Sequence, residues 1–494
     1  MQFDPLEKQS VGRTWFITDV ATDGSTTISN LAGDTSRIPA RAAERLRCLQ
    51  GTVYSLVDPS KLIQAGDGPQ YWKVHKYHKR KMKMTYKTGD RNPGLIVYPL
   101  AQYTNDPTAI APFFEALEDL GVPYGSLSGM AKKSWQRFLE RPVTIWSVPS
   151  ANQSVTNAFT GGRREAIRNR AVYSGLAYMD IPAAYLRSMQ EPLPTKLVPA
   201  EPKMHYSGIA EASVFIPDGP GWKPLPISRR QKGIVLSNFP TGWLGGTWTF
   251  EELRLAERYG YEIQIHRAWA GTNRVSLFDL WLRWAYDLRS LSGAAGSIAK
   301  QFTTRLWALF GLNENSQRTI VEFDTSGNLL PSRKLPKLPL TRDTKYIAAI
   351  IAARTRVALW DGLIEGCVWA DTDGVIVPLD KSQRLSDAGW KRKEGISVFQ
   401  IEDWAHTRYH CIKQTPRGIT DVCSTCSPPG WHYRIDGVTP DSDDARVAWG
   451  LAVPGQYWET DSQGITTASD DAERFRSSRP VVLPYDKIPI QRGI

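Results

Sequence analysis

The sequence predicts an α+β protein of more than one domain, from three observations. Over residues 1–70, short apolar runs are separated by turn-forming residues, the pattern of strands. Between residues 276 and 360, apolar positions recur at helical spacing in three successive segments. Runs of strands followed by runs of helices, without regular alternation, mark an α+β architecture. Length completes the case, because 494 residues can bury the cores of two or more domains.

The composition narrows the class. There are 61 Lys and Arg against 50 Asp and Glu, a net charge of +11 and a pI near 9.3. That excess favours a polyanionic partner, most simply nucleic acid. The 18 Trp, 19 Tyr and 15 Phe supply flat faces that stack on bases as well as fill a core. Residues 1–10 carry charge and Pro5 rather than the apolar stretch of a secretory leader. The longest apolar run, 346–359, is broken by Arg354 and Arg356 and is too short to span a bilayer. Five cysteines, odd in number and sparse, suit a reducing compartment. The expectation is a cytoplasmic, monomeric protein with no membrane partner.

The elements follow in chain order. Trp15-Phe16-Ile17-Thr18-Asp19-Val20 is the clearest early strand. Residues 71–91 interleave rings with Lys73, Lys76, Lys79, Arg80, Lys81, Lys83 and Lys87, which suits a phosphate-tracking groove or a solvated charged strand. Asp106 caps a helix running to residue 120, with Phe113 and Phe114 on its buried side. Residues 191–245, rich in Pro and Gly, read as irregular connections with short strands. A helix over 249–259 ends at Gly260, and a strand over 261–265 follows. Helices over 276–290 and 294–310 come next, then a Lys/Pro-rich stretch that cannot be a regular helix. A helix over 345–360 leads into Cys367-Val-Trp-Ala, Asp371-Thr-Asp-Gly374 and Val375-Ile-Val377, which read as strand, tight turn, strand.

That turn carries the chemistry. Asp371 and Asp373 hold two negative charges at the exposed tip of a sheet, where like charges repel unless a cation compensates them. Hard divalent ions with oxygen ligands, Mg²⁺ above all, are the natural compensation. An isolated pair of this kind is more often a solvated turn, so its companions decide the matter. Asp180 ends a β-prone run, and Pro182 suits the first turn of a helix that would carry Tyr185. Taken alone, Asp180 reads as a helix cap. On the helix over 293–311, Ile298, Phe302, Leu306, Leu309 and Phe310 mark one apolar flank, while Lys300, Thr304 and Trp307 share another face. A lysine beside an aromatic residue suits a triphosphate and its base.

In this order, the chain resembles the family B DNA polymerases, and among them the small protein-primed polymerases of phages. Phe159-Thr-Gly161-Gly162-Arg163-Arg164 resembles the family's Y-x-G-G-R segment. Asp180-Ile-Pro-Ala-Ala-Tyr185 is similar to D-x-x-S-L-Y-P. Residues 249–265 resemble the segment preceding the fingers, and Lys300 to Gly311 resembles K-x-x-x-N-x-x-Y-G, with Thr304 and Trp307 in the Asn and Tyr places. Residues 346–360 with Arg356 resemble the palm helix. Trp369-Ala-Asp371-Thr-Asp373-Gly374 resembles Y-x-D-T-D-S, and Gly389-Trp390-Lys391 with Glu394 resembles the segment after it. The likeness covers roughly residues 100–415, and the ordered set is specific where each member is weak.

The resemblance implies a right-hand polymerase with palm, fingers and thumb. Asp180, Asp371 and Asp373 would hold two Mg²⁺ ions, with Mn²⁺ able to substitute. Lys300, assisted by Arg305, would neutralise dNTP phosphates, with Thr304 and Trp307 beside them, and Tyr185 would exclude a ribose 2′-OH. Gly161, Gly162, Arg163, Lys391, Arg408 and Tyr409 would follow the primer-template backbone. The implied domains are 1–125, reduced and exonuclease-like; 126–195, palm; 196–283, an insertion like the terminal-protein-binding region; 284–311, fingers; 312–344, a strand-displacement insertion; 345–440, palm; and 441–494, thumb. Partners implied are DNA, dNTPs and a terminal protein as primer. DNA priming and a degenerate, purely DNA-binding scaffold stay open as rivals.

Departures are informative. Thr18-Asp19-Val20-Ala21 could be the first exonuclease motif, but Ala21 stands where the family has Glu. Tyr103-Thr-Asn-Asp106 resembles the third motif, one residue short. Little or no proofreading follows. Gly374 replaces Ser, and Thr407-Arg408-Tyr409 is an eroded Lys-x-Tyr. Cys423-Ser-Thr-Cys426 has zinc-knuckle spacing, and Cys411 and His432 could complete four ligands. Without a second such pair, free thiols in a loop are preferred.

Overall fold

A computed structural model of the chain describes residues 2–3, 15–21, 25–38, 52–57, 72–77, 81–86, 95–166, 171–217, 221–231, 234–239, 241–311, 317–321, 333–336, 344–405, 408–415, 418–423, 430–434, 458–460 and 466–468. Two compact units emerge, each built from two stretches of sequence: Met1–Trp146 with Val275–Thr344, and Ser147–Arg274 with Lys345–Ile494.

In the first unit a mixed sheet runs in the order Arg333–Pro336, Gln317–Val321, Trp72–Tyr77, Lys81–Tyr86, Leu95–Pro99, Thr52–Ser55, Trp15–Val20, Thr26–Asn30, Thr35–Ile38. Thr52–Ser55 pairs in parallel with both Trp15–Val20 and Leu95–Pro99. Within the basic segment expected over 71–91, Trp72–Tyr77 and Lys81–Tyr86 pair as a hairpin, and the strand Gln317–Val321 extends it, with Thr319 opposite Lys76. Phe16, Tyr54, Phe113 and Phe114 are buried together beside this sheet, the Phe16 and Phe114 rings 5.2 Å apart edge to face. Asp106 accepts the Thr108 N–H at 2.9 Å in a turn, but it does not cap the α-helix Ala111–Asp119 as expected: a 3₁₀ turn over Thr108–Ile110 intervenes and Ile110 is the N-cap residue. The helices Leu127–Arg137 and Gly293–Phe310 pack through Trp135 and Phe310, whose rings lie 5.6 Å apart.

The second unit contains the sheet of interest. Its strands run Arg163–Ala166, Trp369–Thr372, Gly374–Pro378, Ala171–Asp180, Lys391–Ala405, Arg408–Thr415, Gly418–Cys423, Gly430–Arg434. Gly374–Pro378 lies inside this sheet, and Val375, Ile376 and Val377 are fully buried, as the unbroken apolar run requires. The helix Lys345–Ile364 is buried on nearly every side. Gly362 lets it close on the sheet, because a Cβ there would stand 2.9 Å from Val375 Cγ2. Arg354 and Arg356, which break the apolar run in the sequence, are therefore core residues held by partners.

One expectation changes here. Residues 191–245 are not mainly irregular: Leu193–Ala200, Gly208–Ile216 and Gly242–Thr249 are strands of a second sheet, in which Gly208–Ile216 lies between Glu262–Val275 and Gly242–Thr249. Glycine weakens a strand by entropy, but Gly242–Thr249 stands at the edge of this sheet, where that cost is tolerated. The helix Phe250–Arg258 begins with a capping box, Thr249 and Glu252 bonding each other's backbone N–H, and stops before Gly260 at φ +73°. Of the tail assigned to a thumb, only the paired strands Trp458–Thr460 and Thr466–Ala468 lie within the described residues.

Candidate active site

Register assembles the site. Asp371 lies opposite Gly374 across the hairpin, and Gly374 lies opposite Asp180 on its other side. Arg164 flanks Asp371 on the outer strand, and Lys391 flanks Asp180 on the far one. Arg164, Asp371, Gly374, Asp180 and Lys391 thus form one row across five strands. Residues directly opposite in antiparallel strands point to the same face. Val375 faces the buried helix, so its neighbour Gly374, and with it the row, faces the other way. Each step is about 4.5–5.5 Å between Cα atoms, which sets Asp180 and Asp371 roughly 9–11 Å apart with a side-chain-free gap between them.

Tyr178 uses that gap. A Cβ on Gly374 would stand 2.6 Å from its ring, so glycine at this position answers to this tyrosine. Burial, and then the charges of Asp180, Asp371, Asp373 and Glu394, push the Tyr178 phenol far above its ordinary pKa. Four carboxylates therefore surround a hydroxyl that stays protonated.

The turn is strained. Asp373 N–H donates to Asp371 C=O at 2.7 Å, a three-residue turn with Thr372 at φ +63°. Positive φ is costly for a β-branched residue and persists where the surroundings enforce it. Two contacts do so: Ile181 N–H donates to Asp373 C=O at 2.8 Å, and Gly162 abuts Thr372 so closely that a Cβ would meet Thr372 Cα at 3.0 Å. Upstream, Arg356 donates to the carbonyls of Thr160 and Gly161 and pairs with Glu252 at 2.8 Å. The capping-box glutamate thus fixes the arginine that fixes the strand leading to the turn.

Each carboxylate of the row has a cation. Lys393 Nζ lies 2.8 Å from Asp180, whose side chain is 14% exposed. Arg164 Nε donates to Asp371 at 2.9 Å, and Thr372 Oγ1 donates to the same oxygen. With the carboxylates so engaged, the described residues contain no group of three His, Cys, Asp or Glu side chains that could hold a metal as it stands. Sequence reading missed Lys393 and Arg164 as partners. Tyr185, on the helix Ala184–Gln190, is half-buried; burial raises its pKa, and Asp373 and Asp371 raise it further while Arg356 and Arg164 oppose them. It stands beside the acidic turn.

Other expected site residues fall differently. Arg163 is only 2% exposed: it pairs with Glu165, donates to the Lys223 carbonyl at 2.8 Å and lies 3.7 Å over the Phe239 ring. Burial takes it away from any DNA backbone, and its exposed neighbour Arg164 occupies the outward place. Gly161 is exposed, and Gly162 serves close approach to the turn. Lys391 is exposed. Lys300, Thr304, Arg305 and Trp307 belong to the first unit, on the helix Gly293–Phe310, with Lys300 exposed and the other three half-buried. Burial lowers the Arg305 pKa while Tyr103 opposes this. Arg408 and Tyr409 open the strand Arg408–Thr415. The side chains of Cys411, Cys423 and His432, and Cys426 altogether, lie outside the description, so the zinc question falls there too.

Comparison with protein-family models gave no match, and comparison with curated protein sequences gave none either. Solved structures did match. Phi29 DNA polymerase complexed with primer-template DNA and incoming nucleotide substrates shares 11% identity over 92% of this chain and 96% of its own, with a TM-score of 0.61. Phi29 DNA polymerase complexed with single-stranded DNA shares 12% over 88% and 93%, with a TM-score of 0.56. Nearly the whole length is involved on both sides, and the chain is built on the fold of Phi29 DNA polymerase.

Proposed function

We propose that this protein is a template-directed DNA polymerase that joins dNTPs to a primer hydroxyl. The observation that carries this is the row of Asp371, Gly374 and Asp180 across adjacent strands, in a chain with the fold of a DNA polymerase. The eight-stranded sheet is then the palm, and Gly293–Phe310 belongs to the fingers. Asp180, Asp371 and Asp373 offer only hard oxygen donors, the kind Mg²⁺ takes, and would be the residues to hold such ions. When bound, the ions supply a more acidic primer hydroxyl and charge compensation for the departing pyrophosphate. Asp180 and Asp371 would hold them with Asp373 adding charge, once Lys393 and Arg164 turned from the carboxylates they now pair with toward phosphates. The sequence resemblance gives Tyr185 the role of excluding a 2′-OH and Lys300 that of neutralising triphosphate charge.

The finer reading rests on the sequence resemblance: a terminal-protein hydroxyl as primer, residues 196–283 as the region meeting it, and no effective proofreading with Ala21 in place of a carboxylate. Labelling of a co-expressed protein by a single dNTP, compared with extension of a DNA primer, separates the priming modes. The ion pairs of Asp180 and Asp371 favour one second reading, a DNA-binding scaffold whose acids are permanently neutralised. Primer extension with Mg²⁺, run with wild type and Asp371→Asn, tests both. Synthesis by wild type alone supports the polymerase; no synthesis by either, with DNA binding retained, supports the scaffold.

A further inference from the structure

Tyr178 lies one row back from Asp180 on the same face of the sheet, opposite Ile376 on one side and Glu394 on the other. Its ring meets that of Trp369 edge to face, 6.4 Å away. From there it leans over Gly374: a Cβ on that glycine would stand 2.7 Å from Tyr178 Oη. The hydroxyl therefore occupies the gap between Asp371 and Asp180, above the position of the row that has no side chain.

The backbone does not call for glycine here. The φ of Gly374 is not in the left-handed region, so the space taken by Tyr178 is what excludes a side chain. Packing does not call for the oxygen either. Phenylalanine would meet Trp369 as well, and a hydroxyl withdrawn from water usually finds a hydrogen-bond partner. Tyr178 is half-buried, and its hydroxyl makes no hydrogen bond among the described residues, although the charges of four carboxylates bear on it. A phenol both donates and accepts. What completes this one must be small, polar and seated between two acids. Mg²⁺ dehydrates reluctantly and usually keeps several waters, whose protons need acceptors. A neutral oxygen on the floor of an acidic site supplies such an acceptor without adding charge.

We propose that Tyr178 is a positioning residue of the acidic site, its hydroxyl holding the hydration shell of a divalent cation in the gap between Asp180 and Asp371. This role rests on the polymerase reading of the row. Mn²⁺ binding to the full chain tests it without catalysis. The chain is held on a primer-template whose primer ends in a 3′-deoxynucleotide, and free Mn²⁺ is read by electron paramagnetic resonance. The component lost in Asp180→Asn/Asp371→Asn defines the acidic site. Tyr178→Phe should weaken that component about tenfold, the scale for removing a hydrogen-bond partner of a metal's ligands. In primer extension, the Mn²⁺ concentration giving half the maximal rate should rise with it. A hydroxyl returned from the opposite strand should recover affinity, so Tyr178→Ala/Gly374→Ser should bind Mn²⁺ more tightly than Tyr178→Ala/Gly374→Ala. Absence of the acidic-site component in wild type would overturn this role and the polymerase reading together. A wild-type component that Tyr178→Phe leaves unchanged, or equal affinity in the serine and alanine pairs, would overturn the role of Tyr178 alone.

Discussion

Asp371 and Asp19 both stand near the ends of strands beside apolar runs, yet their strand neighbours differ. Asp371 lies in a row with Gly374 and Asp180, so two carboxylates share a face across a gap. Asp19 lies opposite Thr27, is exposed, and follows a register irregularity at Ile17. Local sequence is similar at the two places. The difference is what the neighbouring strands bring alongside: an acid becomes part of a site when pairing sets a second acid at the right remove.

The largest way to break this comparison is Asp371→Asn beside Asp19→Asn. We expect primer extension to fall by about 10³-fold or more in the first, the scale for removing one member of a cooperating unit, and to stay within about twofold in the second. Equal losses would erase the distinction. Next in size is Arg356→Met, which leaves Glu252 buried without its cation. Such a loss costs about 3–5 kcal/mol, measurable as a lower denaturation midpoint, and Glu252→Gln in the same chain should recover part of it. Gly374→Ala follows. Its Cβ meets the Tyr178 ring, and overpacking of this kind costs about 1–3 kcal/mol; adding Tyr178→Ala should relieve the clash although it opens a cavity of its own.

The smallest expected effect concerns pH. Burial raises the folded-state pKa of Glu251 above its unfolded value, so the folded protein binds the proton more tightly. Stability from this group is present below the unfolded carboxylate pKa and declines as pH rises through the folded value. Glu251→Gln should flatten that decline above the ordinary carboxylate range; a variant with the wild-type slope would remove Glu251 as its source.

Much of the architecture was legible from residues 249–260 and 367–377, because a capping box, a stop glycine and two apolar runs around Asp and Gly are local signals. Asp180 was placed at the end of a strand correctly, although the helix beyond it begins at Ala184, after a turn through Ala183 at φ +53°. The Gly-rich strands between residues 193 and 249 were obscured because sheet pairing overrode their weak local propensity. Arg163 and Arg164 are adjacent and chemically alike, and only strand alternation decides which one meets solvent. Lys393 could not be matched to Asp180 beforehand, since the bulge between Tyr178 and Met179 shifts the pairing on that side.

Formal charge across the row has a consequence for the order of events. Arg164 and Lys393 already pair with Asp371 and Asp180, so these two acids meet an approaching polyanion as ion pairs rather than as bare charges. On the polymerase reading, nucleic acid would associate first, and its phosphates would compete for the lysine and arginine, freeing the carboxylates for divalent cations. Assembly in that sequence would leave DNA affinity nearly indifferent to chelators, while the bound DNA would sharpen the protein's appetite for metal.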